Sequence, residues 1–123
     1  DPSNSFVLNN YSYYISLREV NLERAKEMSA KSNELIPDQA SFQDTYAWIL
    51  FKMGDFKEAK TWLEKALDNG GDNDETVLDH YGDVLFELND VEGAIQYWKL
   101  AKEKGLDAEI IDKKILQAQS KER

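Results

Sequence analysis

The single histidine of the chain, His80, stands among carboxylates on a segment whose pattern predicts a helix. Asp79 precedes it directly and Asp83 follows three residues later, so an Asp–His pair could form a catalytic dyad or half of a metal site. A dyad also needs a nucleophile, and a metal site needs further ligands. No nucleophile stands at a recognisable spacing and there is no second histidine. We therefore interpret His80 as a non-catalytic residue.

Two other acidic or glycine-rich segments could suggest chemistry. The acidic run at residues 72–75 lacks the alternate spacing and the glycine of a calcium loop, and helix capping explains it better. Gly70 and Gly71 are followed by acids, which would repel a phosphate group. The absence of cysteine excludes disulfides and thiolate metal sites. The sequence therefore predicts neither an enzyme nor a cofactor or metal site.

A repeated pattern organises the chain. Two stretches match at a constant offset of 35 residues, pairing Tyr46 with Tyr81, Ala47 with Gly82, Leu50 with Leu85, Phe51 with Phe86, Asp55 with Asp90, Ala59 with Ala94, Leu63 with Trp98 and Ala66 with Ala101. Each stretch has the three- and four-residue apolar spacing of two amphipathic helices joined by a tight turn. A weaker copy lies upstream, with Asn21 and Ala25 offset by 34 from Asp55 and Ala59. Such a period predicts a helical solenoid.

Seven helices are predicted, and capping residues mark where most of them begin. They cover residues 5–17, 22–35, 39–52, 56–68, 74–88, 91–104 and 108–121. Asn21 and Asp38 are the expected N-caps of the second and third helices. Asp55 with Glu58, and Asp72 with Glu75, have the spacing of capping boxes.

The last predicted helix has the pattern of an end cap. Ile111, Ile115 and Ala118 form one apolar stripe, which we expect to pack on the preceding hairpin. The lysines at 113, 114 and 121 are expected to face water. At the opposite end, the helix at 5–17 is apolar almost all round, which favours either a preceding repeat or deep packing within its own hairpin.

On these residues the sequence resembles the tetratricopeptide repeat (TPR) family, and its middle copies resemble repeats of long bacterial TPR proteins. The resemblance implies an all-α fold, a right-handed α-solenoid of three TPR helix-turn-helix hairpins plus a C-terminal capping helix. The repeats would span about 5–38, 39–72 and 73–106, with the capping helix at 107–121, in a single domain that we expect to be part of a longer chain. The first copy departs from the family pattern at Ser12, Ser16, Ser29 and Ser32.

The resemblance also implies a function, because the first helices of TPR hairpins line a concave groove. We expect a non-catalytic module that binds a partner peptide or helix there. The candidate groove residues are Asn10, Tyr11, Tyr14, Asp44, Trp48, Phe51, Asp79, His80, Asp83 and Phe86. Some TPR domains hold a C-terminal carboxylate through Lys, Asn and Arg, but acids occupy most such places here, which disfavours that ligand.

An alternative is a structural role, as a terminal segment of a longer TPR protein whose groove is filled by the same chain or by self-association. The formal net charge of −9 disfavours nucleic acid and anionic lipid as partners and favours basic ones, and the aromatic residues favour apolar ones. No apolar run has transmembrane length. The cellular compartment is not indicated.

Overall fold

The fold is a row of three helical hairpins followed by a seventh helix. The computed structural model of the chain describes residues 4–18 and 21–121, without the side chain of Lys121. Its α-helices are α1 (Ser5–Leu17), α2 (Leu22–Leu35), α3 (Ala40–Lys52), α4 (Phe56–Asp68), α5 (Glu75–Glu87), α6 (Val91–Glu103) and α7 (Ala108–Lys121). A short 3₁₀ turn, Gly71–Asn73, joins α4 to α5. Every predicted helix is present, and no boundary differs by more than one residue.

The second and third hairpins close with the same turn. Gly54 and Asn89 both adopt a positive φ, at 85° and 70°. In each turn the next amide returns to the helix that has just ended: Asp55 N–H donates to Leu50 O and Asp90 N–H to Leu85 O, both at 2.9 Å. These bonds satisfy carbonyls that the helix end leaves free. The repeat in the sequence is therefore also a repeat of backbone geometry.

Two of the predicted N-caps fall at the wrong residue. Asp55 does cap α4, since its carboxylate accepts the Glu58 N–H at 3.3 Å. Asp74, not Asp72, caps α5, because the 3₁₀ turn takes up Asp72 and delays the helix. Gln39, not Asp38, is the N-cap of α3. Asn21 is the N-cap of α2 as predicted, but it has a positive φ and its side chain makes no cap bond.

The hydrophobic core contains more buried apolar residues from α3 to α7 than at the first hairpin. One buried cluster runs from Ala47 to Ala118 and joins α3 to α7. The cluster at the first hairpin is smaller and contains Ile15, Ala25 and Ile49. The four serines that depart from the family pattern are fully buried in this first hairpin. Small side chains let two helices approach closely, but they contribute little apolar area.

The length and hydropathy of the described helices show whether any of them could span a membrane. None of them, over residues 4–18 and 21–121, is both long and apolar enough to cross a bilayer.

Candidate functional site

Equivalent positions on the first helices of successive hairpins form one polar row. Asn10 of α1, Asp44 of α3 and Asp79 of α5 occupy this position, at offsets of 34 and 35. Lys114 of α7 stands a further 35 residues on and contacts Asp79 directly, with Nζ 2.8 Å from Oδ1. The seventh helix therefore continues the row of first helices.

At the N-terminal half of this row, α1, α3 and α5 surround a cavity of about 290 Å³. We call it the N-terminal cavity, and it is lined by Asn9, Asn10, Tyr13, Ser41, Asp44, Thr45, Asp74, Thr76 and Val77. Its lining includes two carboxylates, two amides and four hydroxyl groups, and no lysine or arginine. It is therefore a polar, negatively charged concavity formed by three helices that are distant in sequence.

A buried ion pair lies beside this cavity. His80 Nδ1 is 2.8 Å from Asp44 Oδ1, and the two residues are 6% and 8% exposed. Burial lowers the pKa of His80, but the charge and hydrogen bond of Asp44, with the charges of Asp83 and Asp79, outweigh it and raise the pKa overall. The pair joins α3 to α5 and orients the Asp44 carboxylate.

Aromatic rings pack on the other side of His80. The Trp48 indole is nearly parallel to the His80 ring, with centroids 4.0 Å apart, and to the Phe51 ring at 4.9 Å. Phe51 also contacts Phe56 of α4. We call His80, Trp48 and Phe51 the aromatic stack. Trp48 is half-buried, and its Nε1 is buried without a hydrogen-bond partner among the described residues.

The C-terminal half of the row is occupied by the chain itself. The expectation that Lys114 faces water is wrong, because its Nζ lies 2.8 Å from Asp79 Oδ1 and 3.0 Å from Asp83 Oδ1. Asp83 also accepts a hydrogen bond from Trp98 Nε1. Burial, and then the charge of Asp79, raise the pKa of Asp83 against the opposing effect of Lys114. Two of the predicted groove acids are therefore bonded to one ammonium from α7.

The remaining predicted residues fall into two groups. Asn10 is exposed at the rim of the N-terminal cavity, and Tyr11 and Tyr14 are about half exposed on α1. The Tyr14 hydroxyl accepts a hydrogen bond from Arg18 at 2.9 Å. Phe86 is half-buried against Trp98, with ring centroids 5.9 Å apart. The ten residues thus do not form one open surface.

Eight residues of this region lie outside the ten predicted ones: Asn9, Tyr13, Ser41, Thr45, Asp74, Thr76 and Val77 of the cavity, and Lys114 of α7. Lys114 could have been found, because it stands 35 residues after Asp79 and thus at the next repeat position. Asp74 lines the cavity only because the 3₁₀ turn shifts the start of α5. Asn9 and Tyr13 depend on the rotation of α1, and no pattern in the sequence specifies it.

Comparisons with known proteins agree with this architecture. The family model described as tetratricopeptide repeat matches residues 40–69, which cover α3 and α4. A TPR repeat-containing protein of Pseudomonas aeruginosa is 29% identical over 83 residues, which is 68% of this chain. The aligned region is only 14% of that relative's length.

Solved structures resemble the whole chain. The first TPR of Spaghetti (RPAP3), bound to the HSP90 peptide SRMEEVD, has a TM-score of 0.85 at 14% identity. The match covers 98% of this chain and 94% of that one. The TPR2B domain of yeast Sti1, in a complex with pHsp70, has a TM-score of 0.81 at 18% identity and covers 94% and 95% of the two chains. At these identities the likeness establishes the fold.

Proposed function

We propose that this chain is a non-catalytic module that binds a segment of a protein partner in its groove. Residues 40–69 match the tetratricopeptide repeat family model, and the fold is that of solved TPR domains. The observation that carries the proposal is the convergence of α1, α3 and α5 on the N-terminal cavity. A cavity built by three successive hairpins offers a preformed surface to a ligand, which reduces the ordering cost of binding.

The structural neighbours support a peptide as the ligand. The Spaghetti domain is bound to an HSP90 peptide, and the yeast Sti1 domain is in a complex with pHsp70. The acidic lining of the N-terminal cavity argues against the same class of peptide here, because SRMEEVD carries three acidic residues. A basic or apolar segment suits this groove better.

A non-catalytic role is supported by the surroundings of His80. The ring is buried, bonded to Asp44 and stacked on Trp48, so its contacts are those of a packing residue. A general base must reach the proton that it abstracts from a substrate.

The test is a binding measurement on groove variants. A peptide-display library is selected against the wild-type chain, and the enriched peptides are titrated by fluorescence anisotropy. Asn10→Arg alters the cavity rim and should abolish their binding, whereas Thr61→Arg, exposed on α4, adds the same charge elsewhere and should preserve it. The SRMEEVD peptide should not bind. Equal binding to both variants, or strong binding of SRMEEVD, would sink the proposal.

A structural role in a longer solenoid is the second candidate, and Tyr11 favours it. Its equivalents in the next two hairpins, Thr45 and His80, are 5% and 6% exposed because a hairpin precedes each of them. Tyr11 is 50% exposed, and Val7, one turn before it on the same face, is also exposed. A preceding repeat, or a second copy of the chain, would bury this face.

Sedimentation velocity tests the second-copy version of this role. If copies pack on α1, the sedimentation coefficient should rise with protein concentration, and Tyr11→Ser should abolish the rise. A sedimentation coefficient independent of concentration would reject the second-copy version. The preceding-repeat version would be rejected if a chain extended by one repeat had the same thermal stability.

A further inference from the structure

The two carboxylates of the N-terminal cavity each have an oxygen without a hydrogen-bond partner among the described residues. Within residues 4–18 and 21–121 the Asp44 carboxylate has one hydrogen bond, between Oδ1 and His80 Nδ1, so Oδ2 remains for a ligand. Asp74 contributes a second carboxylate to the lining. Lysine and arginine are absent from the described lining, and His80 bonds only one oxygen of Asp44, so the Asp74 carboxylate has no cation in the described lining.

The side-chain oxygen of Asn9 independently indicates that the cavity lacks a hydrogen-bond donor for it. The Asn9 side chain lines the cavity and is 7% exposed, yet its Oδ1 has no hydrogen-bond partner in the part of the chain that the structure describes. Buried polar atoms are rarely left unpaired, because losing water without a replacement bond is costly. The amide can turn about its last torsion and present its oxygen to a donor in the cavity.

The same row already contains an example of the ligand chemistry. Asp79 occupies in α5 the position that Asp44 occupies in α3, and it binds the ammonium of Lys114 at 2.8 Å. Asp44 has His80 as its partner, and among the described residues no lysine or arginine bonds it. An ammonium or guanidinium from outside would make there the contact that Lys114 makes one repeat later.

From these contacts we propose that the N-terminal cavity is a subsite for a basic side chain, arginine or lysine, of the bound partner. The inference rests on the proposed function and names the chemistry that its groove selects. A metal ion is a poorer occupant, because no group of three His, Asp or Glu side chains among the described residues could hold one. An organic cation brings several N–H donors, which match the separate acceptors of Asp44 and Asn9.

The experiment is a ¹H–¹⁵N NMR titration of the whole chain with single amino-acid amides. Nα-acetyl-arginine amide and Nα-acetyl-lysine amide are the probes, and Nα-acetyl-citrulline amide is a neutral control of the same shape as arginine. We expect saturable shifts at the backbone amides of Asn10, Ser41 and Thr76 with a cation, and affinity lower by at least about tenfold with citrulline. The stronger of the two cations identifies the side chain.

Variants locate the effect. Asp44→Asn should weaken binding by at least about tenfold, and Ser41→Arg should do so by filling the cavity without touching the Asp44–His80 pair. Asp68→Asn, exposed at the end of α4, removes the same charge elsewhere and should leave binding unchanged. Citrulline binding as tightly as arginine, shifts outside the cavity, or no saturable shift would each overturn the proposal.

A wrong cation subsite and a wrong proposed function would give different results in the display experiment. If display selects peptides that lack basic residues and still lose binding with Asn10→Arg, the groove binds a partner and the cation subsite is wrong. If no peptide depends on the groove, the function itself fails.

Discussion

His80 of the third hairpin forms an ion pair with Asp44 of the second hairpin. Asp44 of α3 bonds its ring, and Asp79 and Asp83 of its own helix lie close enough to act on it. Lys114 of α7 bonds both of these acids. Although burial opposes the charged form, the acids prevail and the pKa of His80 is raised. A raised pKa in the folded state makes stability depend on pH.

The sign of this dependence follows from the direction of the shift. The contribution of His80 is fully present below its unfolded pKa of about 6.5 and is lost as pH rises through the higher folded value. We expect the free energy of unfolding, from urea titrations, to fall as pH increases above about 6.5. His80 is the single histidine of the chain, so His80→Gln should remove the slope. An unchanged slope in the variant would contradict this assignment.

Gly82 illustrates how one repeat position depends on another. The repeat has Gly82 and Trp98 at the positions that Ala47 and Leu63 occupy in the preceding hairpin. A Cβ added at Gly82 would lie 2.5 Å from Trp98 Cδ1 and Nε1, so the indole occupies the space of a methyl group. The glycine is needed for packing and not for backbone freedom.

This packing predicts non-additive mutations. Gly82→Ala should destabilise the fold by about 1–3 kcal/mol, because overpacking a core forces side chains from their rotamers. Combined with Trp98→Leu, which recreates the pair of the preceding repeat, it should cost less than the sum of the two single changes. Urea unfolding of the four proteins of this cycle measures the coupling. Additive effects would show that the indole moves aside freely.

At the residue scale, the sequence predicted which positions are equivalent better than which side chains are in contact. The offset of 35 paired Gly82 with Ala47 and Trp98 with Leu63, and both Trp98 and Leu63 are buried in the core. It could not assign Trp48 to the stack on His80, since that contact depends on the distance and rotation between α3 and α5. Repeat periodicity specifies which positions are equivalent, but not the side chains that adjacent repeats bring together.

At the scale of elements, α7 both covers the last hairpin and completes the polar row. Ile111 and Ala118 are fully buried, as the apolar stripe predicts. Lys114 on the same helix bonds Asp79 and Asp83, so polar contacts supplement the apolar ones. Burial disfavours its charged form, but these two acids raise the pKa of Lys114 overall, and its ammonium stays charged at neutral pH.

Removal of this ammonium should weaken the end of the fold. Lys114→Met keeps the apolar length of the side chain and leaves Asp79 and Asp83 close together without their cation. We expect a loss of about 1–3 kcal/mol in the free energy of unfolding. Lys113→Met, exposed on the same helix, is the matched control and should change little. Equal effects would mean that the ion pair adds nothing beyond helix propensity.

Helix positions were predictable because several local signals agree. Apolar spacing, the Asp55 cap and the turn residues all place the same boundaries, and every helix was located within one residue. The start of α5 was misassigned at its cap, because Asp72 and Asp74 are both good capping residues and the 3₁₀ turn decides between them. The function of α7 beyond capping required the spatial contact of Lys114.

Across the whole molecule, the two ends of the row differ in the depth of their cores. The cluster that joins α3 to α7 includes Leu50, Leu63, Leu85 and Trp98, whereas the first hairpin buries serines between α1 and α2. In a repeat protein, stability is close to a sum of repeat and nearest-neighbour terms. The first hairpin should therefore open at a lower free energy than the others.

Native-state hydrogen exchange tests this order. Amides of α1 and α2 should exchange through openings of lower free energy than those of α5, and one buried serine should control the difference. Ser29 is fully buried and its Oγ has no partner among the described residues, so Ser29→Ala should raise the opening free energy of α1 and α2 by about 1 kcal/mol. In Ser12→Ala the lost hydroxyl donates to Asn9 O at 2.8 Å, so no gain is expected. Uniform protection along the chain would instead indicate one cooperative unit, in which the serine-rich hairpin is as firmly held as the rest.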